Sequence, residues 1–250
     1  MRIVLKFGSG ILASVKGNTL DKKQFHRLSG EVATLMKAGH QCLIVSSGAV
    51  AAGLGALGIA SRPEDLALRQ ACAAIGQSKL MAQYAECFAE HQMQVAQLLL
   101  THGDIDSRTR SQNVHSTLTR ILENRTVVPI INENDSVATE ELKFGDNDRL
   151  SAEVAILAKA DLLVLLTSVE GLLDDQGKRI PLVDDVDAVA GFAHEEKGRL
   201  SVGGMVSKLQ AVKLAVSAGI PTAICSGRKA RQMIALAEGH NVGTRFSVKG

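Results

Sequence analysis

Two clusters of amide and carboxylate side chains stand in one strand-to-helix connection of this 250-residue sequence. Residues 132–135 follow a buried, β-branched strand predicted from residue 127 onward, and residues 145–148 precede a predicted helix. A short hairpin or flap is expected between them, over residues 137–144. Asx side chains at such places often form only turns and helix N-caps. Two clusters around one hairpin, however, favour the binding of a polar ligand.

Two lysines occupy positions where an ammonium group is unexpected. Lys6 lies one residue before the end of an apolar strand, and burial of an unpaired ammonium is costly; the alternative is that its stem extends to the surface. Lys208 falls near the start of a helix opened by Gly203 and Gly204, where a cation opposes the helix dipole unless an anion is bound. A Gly-Gly turn at a helix start can cradle a phosphate with its backbone N–H groups. The combination favours phosphoryl transfer.

Other motifs give weaker signals. A G-x-G-x-x-G pattern at Gly53, Gly55 and Gly58 matches the sequence motif of dinucleotide-binding sites. Its first glycine lies well beyond the strand predicted over residues 42–45, and no acidic residue follows about 20 residues later. The P-loop, nucleophile-elbow and zinc-protease patterns do not occur in the sequence. A dinucleotide fold is therefore not expected.

Composition and cysteine spacing indicate a cytoplasmic α/β protein with a substantial core, and they argue against several kinds of partner. Hydrophobic residues make up 46%, aromatic residues only 3%, and the formal net charge is +2 with scattered basic residues, so no nucleic-acid partner is expected. The four cysteines are far apart in sequence and are expected to be reduced, with no zinc site. Residues 38–61 carry no charge but contain five glycines, and the N-terminus lacks the apolar segment of a signal peptide. No membrane segment is expected.

Alternation of predicted strands and helices indicates the fold class. Such alternation predicts an α/β sandwich in which helices cover both faces of a mainly parallel sheet. We expect one domain over residues 1–250, with separate helices over residues 64–75 and 78–90. Ligands bind beyond the carboxyl ends of strands in such sheets, and the polar clusters all follow predicted strands: residues 6–9, 46–48, 132–135 and 167–168.

Short motifs along nearly the whole sequence resemble the amino acid kinase family, and within it the members whose acceptor is L-glutamate. INEND followed by GDND is the most specific of them. In chain order the motifs are V-x-K-x-G-S at residues 4–9, SSGAVAAG at 46–53, AAIGQ at 73–77, LLLT at 98–101, INEND at 131–135, FGDND at 144–148 and GGMVSKLQAV at 203–212. The resemblance implies a three-layer αβα sandwich of the carbamate kinase-like type.

The resemblance also implies a role for each motif residue. Lys6 and Lys208 would flank the transferring phosphoryl group, and Asp148 would orient both lysines. L-glutamate would be held by Ser47, Asp135 and Asn147, with Asp146 nearby. ATP would be contacted by Lys6, Lys143, Thr167, Ser168, Val202, Gly203, Gly204, Met205, Val206, Ser207 and Lys208. Magnesium would accompany ATP, and the resemblance names no protein ligand for it.

By the same resemblance the protein would phosphorylate the γ-carboxylate of L-glutamate, the first step of proline synthesis. The N-terminal part would bind glutamate and the C-terminal part ATP, without the PUA domain that longer members carry. Proline would act as a feedback inhibitor. The protein would be a homo-oligomer, a dimer or tetramer, with the helical region 64–90 as a contact face.

Two residues depart from the usual family motifs. Ser168 replaces an aspartate and Val202 replaces a threonine, so altered nucleotide affinity is expected rather than loss of activity. Two alternatives stay open. One is a sister kinase that acts on another carboxylate, a carbamate or a nucleoside monophosphate, and the other is a non-catalytic sensor on the same fold.

Overall fold

The structure is a computed structural model that describes residues 1–14, 18–137, 146–193 and 204–248, except the side chain of Asp146. Within these residues eight strands form one sheet, in the order β3-β4-β2-β1-β5-β7-β8-β6. Neighbouring strands are parallel, apart from the antiparallel pair β7 and β8. The predicted mainly parallel α/β sheet is therefore confirmed. The strands are β1 (Arg2–Phe7), β2 (Gln41–Ser46), β3 (Gln94–Leu100), β4 (Val127–Glu133), β5 (Leu162–Thr167), β6 (Leu182–Val183), β7 (Thr222–Ser226) and β8 (Thr244–Phe246).

Helices cover both faces of the sheet. They are α1 (Ser9–Leu12), α2 (Lys22–Lys37), α3 (Ala49–Leu57), α4 (Leu66–Ala89), α5 (His102–Asp106), α6 (Arg108–Leu122), α7 (Asp146–Leu157), α8 (Met205–Ser217) and α9 (Gln232–Ala237), with a short 3-10 helix at Asp187–Phe192. One core contains side chains of α2, α4 and α9, and the other contains those of α6, α7 and α8. The architecture is the expected three-layer sandwich.

Side-chain alternation in β1 determines where Lys6 points. Ile3, Leu5 and Phe7 belong to the core beneath α2 and α4, whereas Val4 belongs to the core beneath α7 and α8. Because successive side chains of a strand face opposite sides of the sheet, Lys6 leaves the sheet on the side of Val4. The lysine is thereby directed towards α7 and α8.

The prediction of two helices over residues 64–75 and 78–90 is wrong, because α4 runs without a break from Leu66 to Ala89. Gly76 lies in its middle and does not end it. A Cβ at Gly76 would overlap the carbonyl oxygen of Ala49, and a Cβ at Gly53 would overlap that of Cys72. Glycine at these positions therefore lets the backbones of α3 and α4 touch. Gly53, the first glycine of the G-x-G-x-x-G pattern, serves helix packing.

Several smaller features differ from the prediction or extend it. The short elements α1, α5 and β6 were not expected, and the closing strand is only Thr244–Phe246. The irregular arm predicted after residue 171 contains an antiparallel bridge between Leu173 and Arg179. The hairpin predicted over residues 137–144 lies, beyond its first residue, outside the described residues.

The cysteines are buried thiols without disulfide bonds. Burial raises the pKa of Cys42 and of Cys225 to about 12, which keeps both thiols protonated and unreactive at neutral pH. In the part of the chain that the structure describes, no helix is long and apolar enough to cross a lipid bilayer.

Candidate active site

Four adjacent strands deliver polar residues to one edge of the sheet. β4, β2, β1 and β5 are neighbours in this order, and each ends in one of the polar clusters seen in the sequence. Because parallel strands present their carboxyl ends at the same edge, these clusters meet there. The first turn of α7 and the first turns of α8 complete the region.

Lys6, Asp148 and Lys208 form a buried trio at this edge. Lys6 Nζ lies 2.5 Å from Asp148 Oδ1, and Lys208 Nζ lies 3.4 Å from Asp148 Oδ2. Each of the three side chains is at most 8% exposed. The three residues come from β1, α7 and α8, so the trio joins elements distant in sequence. Two ammonium groups face one carboxylate here, an arrangement that favours an anion nearby.

The charge of Asp148 depends on the two lysines. Burial on its own would raise the pKa of this carboxyl group, but the adjacent Lys6 and Lys208 ammonium groups and a hydrogen bond from Ser207 outweigh it and lower the pKa. Ser207 Oγ lies 2.8 Å from Asp148 Oδ2. The carboxylate is therefore ionised at neutral pH and holds both cations in place.

Backbone dipoles add positive potential to the trio. α7 begins at Asp146, and α8 begins at Met205 after the N-cap residue Gly204. The N-terminus of a helix carries partial positive charge and unpaired N–H groups. Gly8 lies beside the trio, since a Cβ there would meet Lys6 Nζ at a contact distance of 3.4 Å. A phosphate-sized anion is the ligand that such a site suits.

A chain of amide side chains lies next to the trio. Asn147 Nδ2 lies 3.2 Å from Ser47 Oγ and 3.2 Å from Asn132 Oδ1. Asn132 Nδ2 in turn donates to Gln77 Oε1 at 2.9 Å. Asn147 Oδ1 is buried and has no hydrogen-bond partner among the described residues. Asn132 and Asn147 thus bind across the site instead of capping a turn, whereas Asn134 forms a local turn contact with Ser136.

The remaining predicted residues are placed as follows. Thr167 is buried at the end of β5 and Ser168 is exposed; the Thr167 carbonyl accepts a hydrogen bond from Gly227 N–H at 2.8 Å. Asp135 is half-buried in the turn after β4, Met205 is buried and Val206 is exposed. Lys143, Val202 and Gly203, and the side chain of Asp146, lie outside the described part of the chain. Their predicted roles stay predictions.

Sequence reasoning missed a second polar cluster, which joins α5 to α7. His102 Nδ1 lies 2.8 Å from Glu153 Oε2, and Arg149 Nε donates to Glu153 Oε1 at 2.7 Å. The hydrogen bond to Glu153 raises the pKa of His102, although burial opposes the shift. The only sequence signal was the position of His102 directly after the LLLT motif, and its partner is 51 residues away.

The described residues do not form a metal site of their own. Among them, no three His, Cys, Asp or Glu residues are grouped closely enough to hold a metal ion. Asp148, which lies at the centre of the trio, is already occupied by two ammonium groups.

A polar cavity of about 440 Å³ lies at the opposite edge of the sheet, lined by Met1, Arg2, Gly39, Gln41, Arg125, Lys159 and Asp161. Two of its lining side chains are already hydrogen-bonded within the protein: the backbone N–H of Arg2 donates to Asp161 Oδ2 at 2.6 Å, and Arg2 Nε donates to Gln41 Oε1 at 3.1 Å. Amino ends of parallel strands are not where ligands bind in such sheets. The candidate active site is therefore the carboxyl edge.

Known proteins resemble this chain over most of its length. The amino acid kinase family model matches residues 1–226. The chain is 43% identical to the glutamate 5-kinase of Thermus thermophilus, over 99% of this chain and 68% of that protein. It is 42% identical to the glutamate 5-kinase of Streptococcus pneumoniae and 41% identical to that of Pelobacter propionicus, each over 98% of this chain and over 68% and 67% of those proteins.

A solved structure supports the fold. The UMP kinase of Bacillus anthracis matches with a TM-score of 0.65 at 15% identity, over 100% of this chain and 96% of that chain. At this sequence identity the match supports the fold alone. Together with the sequence matches, it places the chain in a class of α/β phosphotransferases. The chain belongs to the amino acid kinase family.

Proposed function

We propose that the protein transfers the γ-phosphoryl group of ATP to the γ-carboxylate of L-glutamate, giving L-glutamyl 5-phosphate for proline synthesis. The observation that carries this proposal is the buried trio, in which the Lys6 and Lys208 ammonium groups converge on Asp148 beside two helix N-termini. Relatives that are glutamate 5-kinases at 41–43% identity support the choice of acceptor. The amide chain beside the trio supplies hydrogen-bonding groups for an amino acid.

The acceptor needs no general base. The γ-carboxylate of glutamate has a pKa of about 4.3 and is ionised at neutral pH. One of its oxygens forms the bond to the γ-phosphorus, while the bond from phosphorus to the bridging oxygen breaks and its electron pair leaves with ADP. The barrier arises from bringing two anions together. Lys6 and Lys208 would lower it by neutralising charge on the transferring group.

Asp148 acts on the reaction through the lysines. Its carboxylate holds Lys6 at 2.5 Å and Lys208 at 3.4 Å, so it is a positioning residue that takes no proton. Such pre-organisation matters because a shift of about 1 Å in a catalytic group can cost about 100-fold in rate.

ATP would lie between the end of β5 and the start of α8. In this proposal Thr167, Ser168 and residues 202–208 contact the nucleotide, and Lys143 reaches a phosphate. Magnesium would be carried by the ATP phosphates and would neutralise part of their charge. The serine at position 168 and the valine at position 202 would change nucleotide affinity without abolishing turnover. The N-terminal part of a single kinase domain would then bind glutamate and the C-terminal part ATP.

The test is ATP turnover with L-glutamate, in which hydroxylamine traps the acyl phosphate as a hydroxamate. We expect glutamate-dependent hydroxamate from the wild type and a decrease on the order of 10²–10³-fold in Lys208→Ala. Lys213→Ala is the matched control, because Lys213 lies on the same helix but pairs with Asp187 at the surface. Its turnover should equal that of the wild type.

A substrate panel separates the alternatives. The panel contains L-glutamate, L-aspartate, N-acetyl-L-glutamate, carbamate and UMP. Turnover with another member and none with L-glutamate would indicate a sister kinase and contradict the proposal. Glutamate binding without hydroxamate would indicate a sensor.

Feedback inhibition by proline and assembly into a cytoplasmic homo-oligomer belong to the same proposal and rest on family resemblance. Proline at millimolar concentration should compete with glutamate. Proline that neither binds nor slows turnover would remove the regulatory part, and a monomer in analytical ultracentrifugation would remove the oligomeric part.

A further inference from the structure

Gln77 is a buried polar side chain that phosphoryl transfer does not itself require. It lies in the middle of α4, next to Gly76, and is 8% exposed. Its Oε1 accepts a hydrogen bond from Asn132 at 2.9 Å, and its Nε2 lies 3.4 Å from Gln97 Oε1. A buried amide lowers stability unless it is hydrogen-bonded. The contact with Asn132 indicates that Gln77 serves as a hydrogen-bond acceptor for that side chain.

The orientation of Asn132 is determined by a backbone group. The N–H of Glu133 donates to Asn132 Oδ1 at 2.9 Å. An amide side chain can exchange its oxygen and nitrogen with little change in shape, but a backbone N–H is always a donor. Asn132 Oδ1 must therefore face Glu133, and Asn132 Nδ2 must face Gln77. Gln77 Oε1 is the acceptor that satisfies this second position.

The orientation of the Asn147 amide follows from that of Asn132. Asn132 Oδ1 is an acceptor, so the atom of Asn147 that lies 3.2 Å from it must be Nδ2. Asn147 Oδ1 is then turned away from Asn132. It is buried and lacks a hydrogen-bond partner among the described residues. A buried acceptor is costly to leave unpaired, so this oxygen is suited to accept a hydrogen bond from a ligand.

We propose that Gln77 is a positioning residue that holds Asn132, and through it Asn147, so that Asn147 Oδ1 accepts a hydrogen bond from the α-ammonium group of the substrate. The identity of the substrate rests on the proposed function. At neutral pH both carboxylates of glutamate are acceptors only, and all its N–H donors are on the ammonium group. The amide chain thus selects an amino acid over a dicarboxylate that lacks the amine.

The test compares L-glutamate with glutarate, which has the same carbon chain without the amine. Gln77→Met keeps the length of the side chain and removes the acceptor. We expect KM for L-glutamate to rise by about tenfold, with KM for ATP unchanged and with the preference for glutamate over glutarate reduced by a similar factor. A loss of packing alone would not reduce that preference.

Two further variants serve as controls. Gln83→Met alters another buried glutamine of α4, which is 6% exposed and bonds to Cys87 within its own helix. It should leave the preference unchanged. Gln77→Glu retains an acceptor for Asn132 Nδ2 and should restore most of the preference. If Gln77→Met fails to fold, Gln77→Ala replaces it in the same comparison.

The orientation can also be measured without turnover. In ¹⁵N spectra of the protein without substrate, the side-chain NH₂ signals of Asn132 and Asn147 should be sharp in the wild type and in Gln83→Met, and broadened in Gln77→Met. An unchanged preference together with unchanged signals would overturn the role of Gln77. A wild type that does not phosphorylate glutamate would instead refute the proposed function, and the spectra would still decide whether Gln77 orients the amides.

Discussion

At the scale of single residues, Asp148 forms ion pairs with both lysines of the candidate site. Its carboxylate is 1% exposed and lies between Lys6 and Lys208. A buried ion pair adds little net stability compared with apolar residues, but removal of one partner leaves an uncompensated buried charge. Loss of the carboxylate would leave two buried ammonium groups close together. Their mutual repulsion would destabilise the folded state more than a single unpaired ammonium group would. Asp148 therefore affects both stability and the geometry of the site.

We predict that Asp148→Asn lowers the free energy of unfolding by about 3–5 kcal/mol and kcat by about 100-fold or more. Urea denaturation and the hydroxamate assay measure the two effects. The matched control is Asp187→Asn, which breaks the exposed Asp187–Lys213 pair and should cost about 1 kcal/mol or less. Equal effects of the two substitutions would contradict the importance assigned to the trio.

The lowered pKa of Asp148 also predicts a pH dependence. A carboxyl group with a folded pKa below its unfolded pKa stabilises the folded state above the unfolded value, and this contribution is lost as pH falls through the folded pKa. The difference in unfolding free energy between the wild type and Asp148→Asn should be largest near neutral pH. It should decrease as the solution becomes more acidic than about pH 4. A difference that is constant from pH 7 to pH 3 would argue against the assignment.

At the scale of elements, the contact between α3 and α4 positions Ser47 and Gln77 at the candidate site. α3 begins two residues after Ser47, and α4 carries Gln77 next to Gly76. Because Gly76 lies against the Ala49 carbonyl, the two helices are held at backbone contact. Ser47 and Gln77 then approach Asn147 and Asn132 from two sides.

We predict that Gly76→Ala destabilises the protein by about 1–3 kcal/mol and raises KM for glutamate, because its Cβ must push α3 away. Within a helix the same change is normally stabilising, by about 1 kcal/mol. Gly30→Ala in α2 is the matched control, since its Cβ would meet the His91 ring at an ordinary contact distance, 3.6 Å from Nε2. Thermal denaturation should show opposite signs for the two variants. A stabilised Gly76→Ala would mean that α3 and α4 are not in backbone contact.

The pair of His102 and Glu153 joins α5 to α7. The hydrogen bond to Glu153 raises the pKa of His102, burial opposes this, and the charges of Glu153 and Glu133 add to it while that of Arg149 opposes it. A raised folded pKa stabilises the protein below the unfolded pKa of about 6.5, and the contribution is lost as pH rises through the folded pKa. The bond between α5 and α7 should therefore be stronger in mildly acidic solution.

We predict that Glu153→Gln lowers the pKa of His102 in an NMR titration. Its destabilisation relative to the wild type should be largest below about pH 6 and smaller above the folded pKa of His102, where the contact with Arg149 accounts for the remainder. Glu90→Gln, which removes the partner of the exposed His26, should change stability by about 0.5 kcal/mol or less at each pH. A pH-independent effect of Glu153→Gln would contradict this account.

At the scale of the whole molecule, one sheet separates two cores and connects them. β1 contributes Leu5 to one core and Val4 to the other. Distant parts of the chain are also tied together directly, since Gln24 Nε2 donates to the Gly227 carbonyl at 2.8 Å and the Arg231 N–H donates to Glu31 at 2.9 Å. The two cores are therefore expected to unfold together.

We predict a single cooperative unfolding transition that core substitutions on either face shift. Leu28→Ala in α2 and Leu118→Ala in α6 remove buried side chains from the two cores, and each should cost about 2–5 kcal/mol. Leu182→Ala, at a side chain that is 53% exposed, should stay within about 0.5 kcal/mol of the wild type. Two calorimetric transitions, each moved by one core variant only, would indicate two domains.

The sequence by itself determined the order of strands and helices and the edge where the polar groups meet. Hydrophobic periodicity is local, so β1, β2, β4 and β5 were predicted within a residue or two. Lys6 and Lys208 stood out because a buried ammonium and a cation at a helix start are each unfavourable without a partner. The two Asx clusters indicated a ligand for the same local reasons.

Only the tertiary structure decided which side chains face one another. Gly76 in the middle of α4 lies against the Ala49 carbonyl of α3. Asn132 donates a hydrogen bond to Gln77, 55 residues earlier in the sequence. Neither contact has a local signature, because a glycine in a helix and a buried glutamine are both unfavourable until a distant neighbour compensates. Propensity acts between residues close in the chain, whereas these contacts exist only after packing has brought distant backbones together.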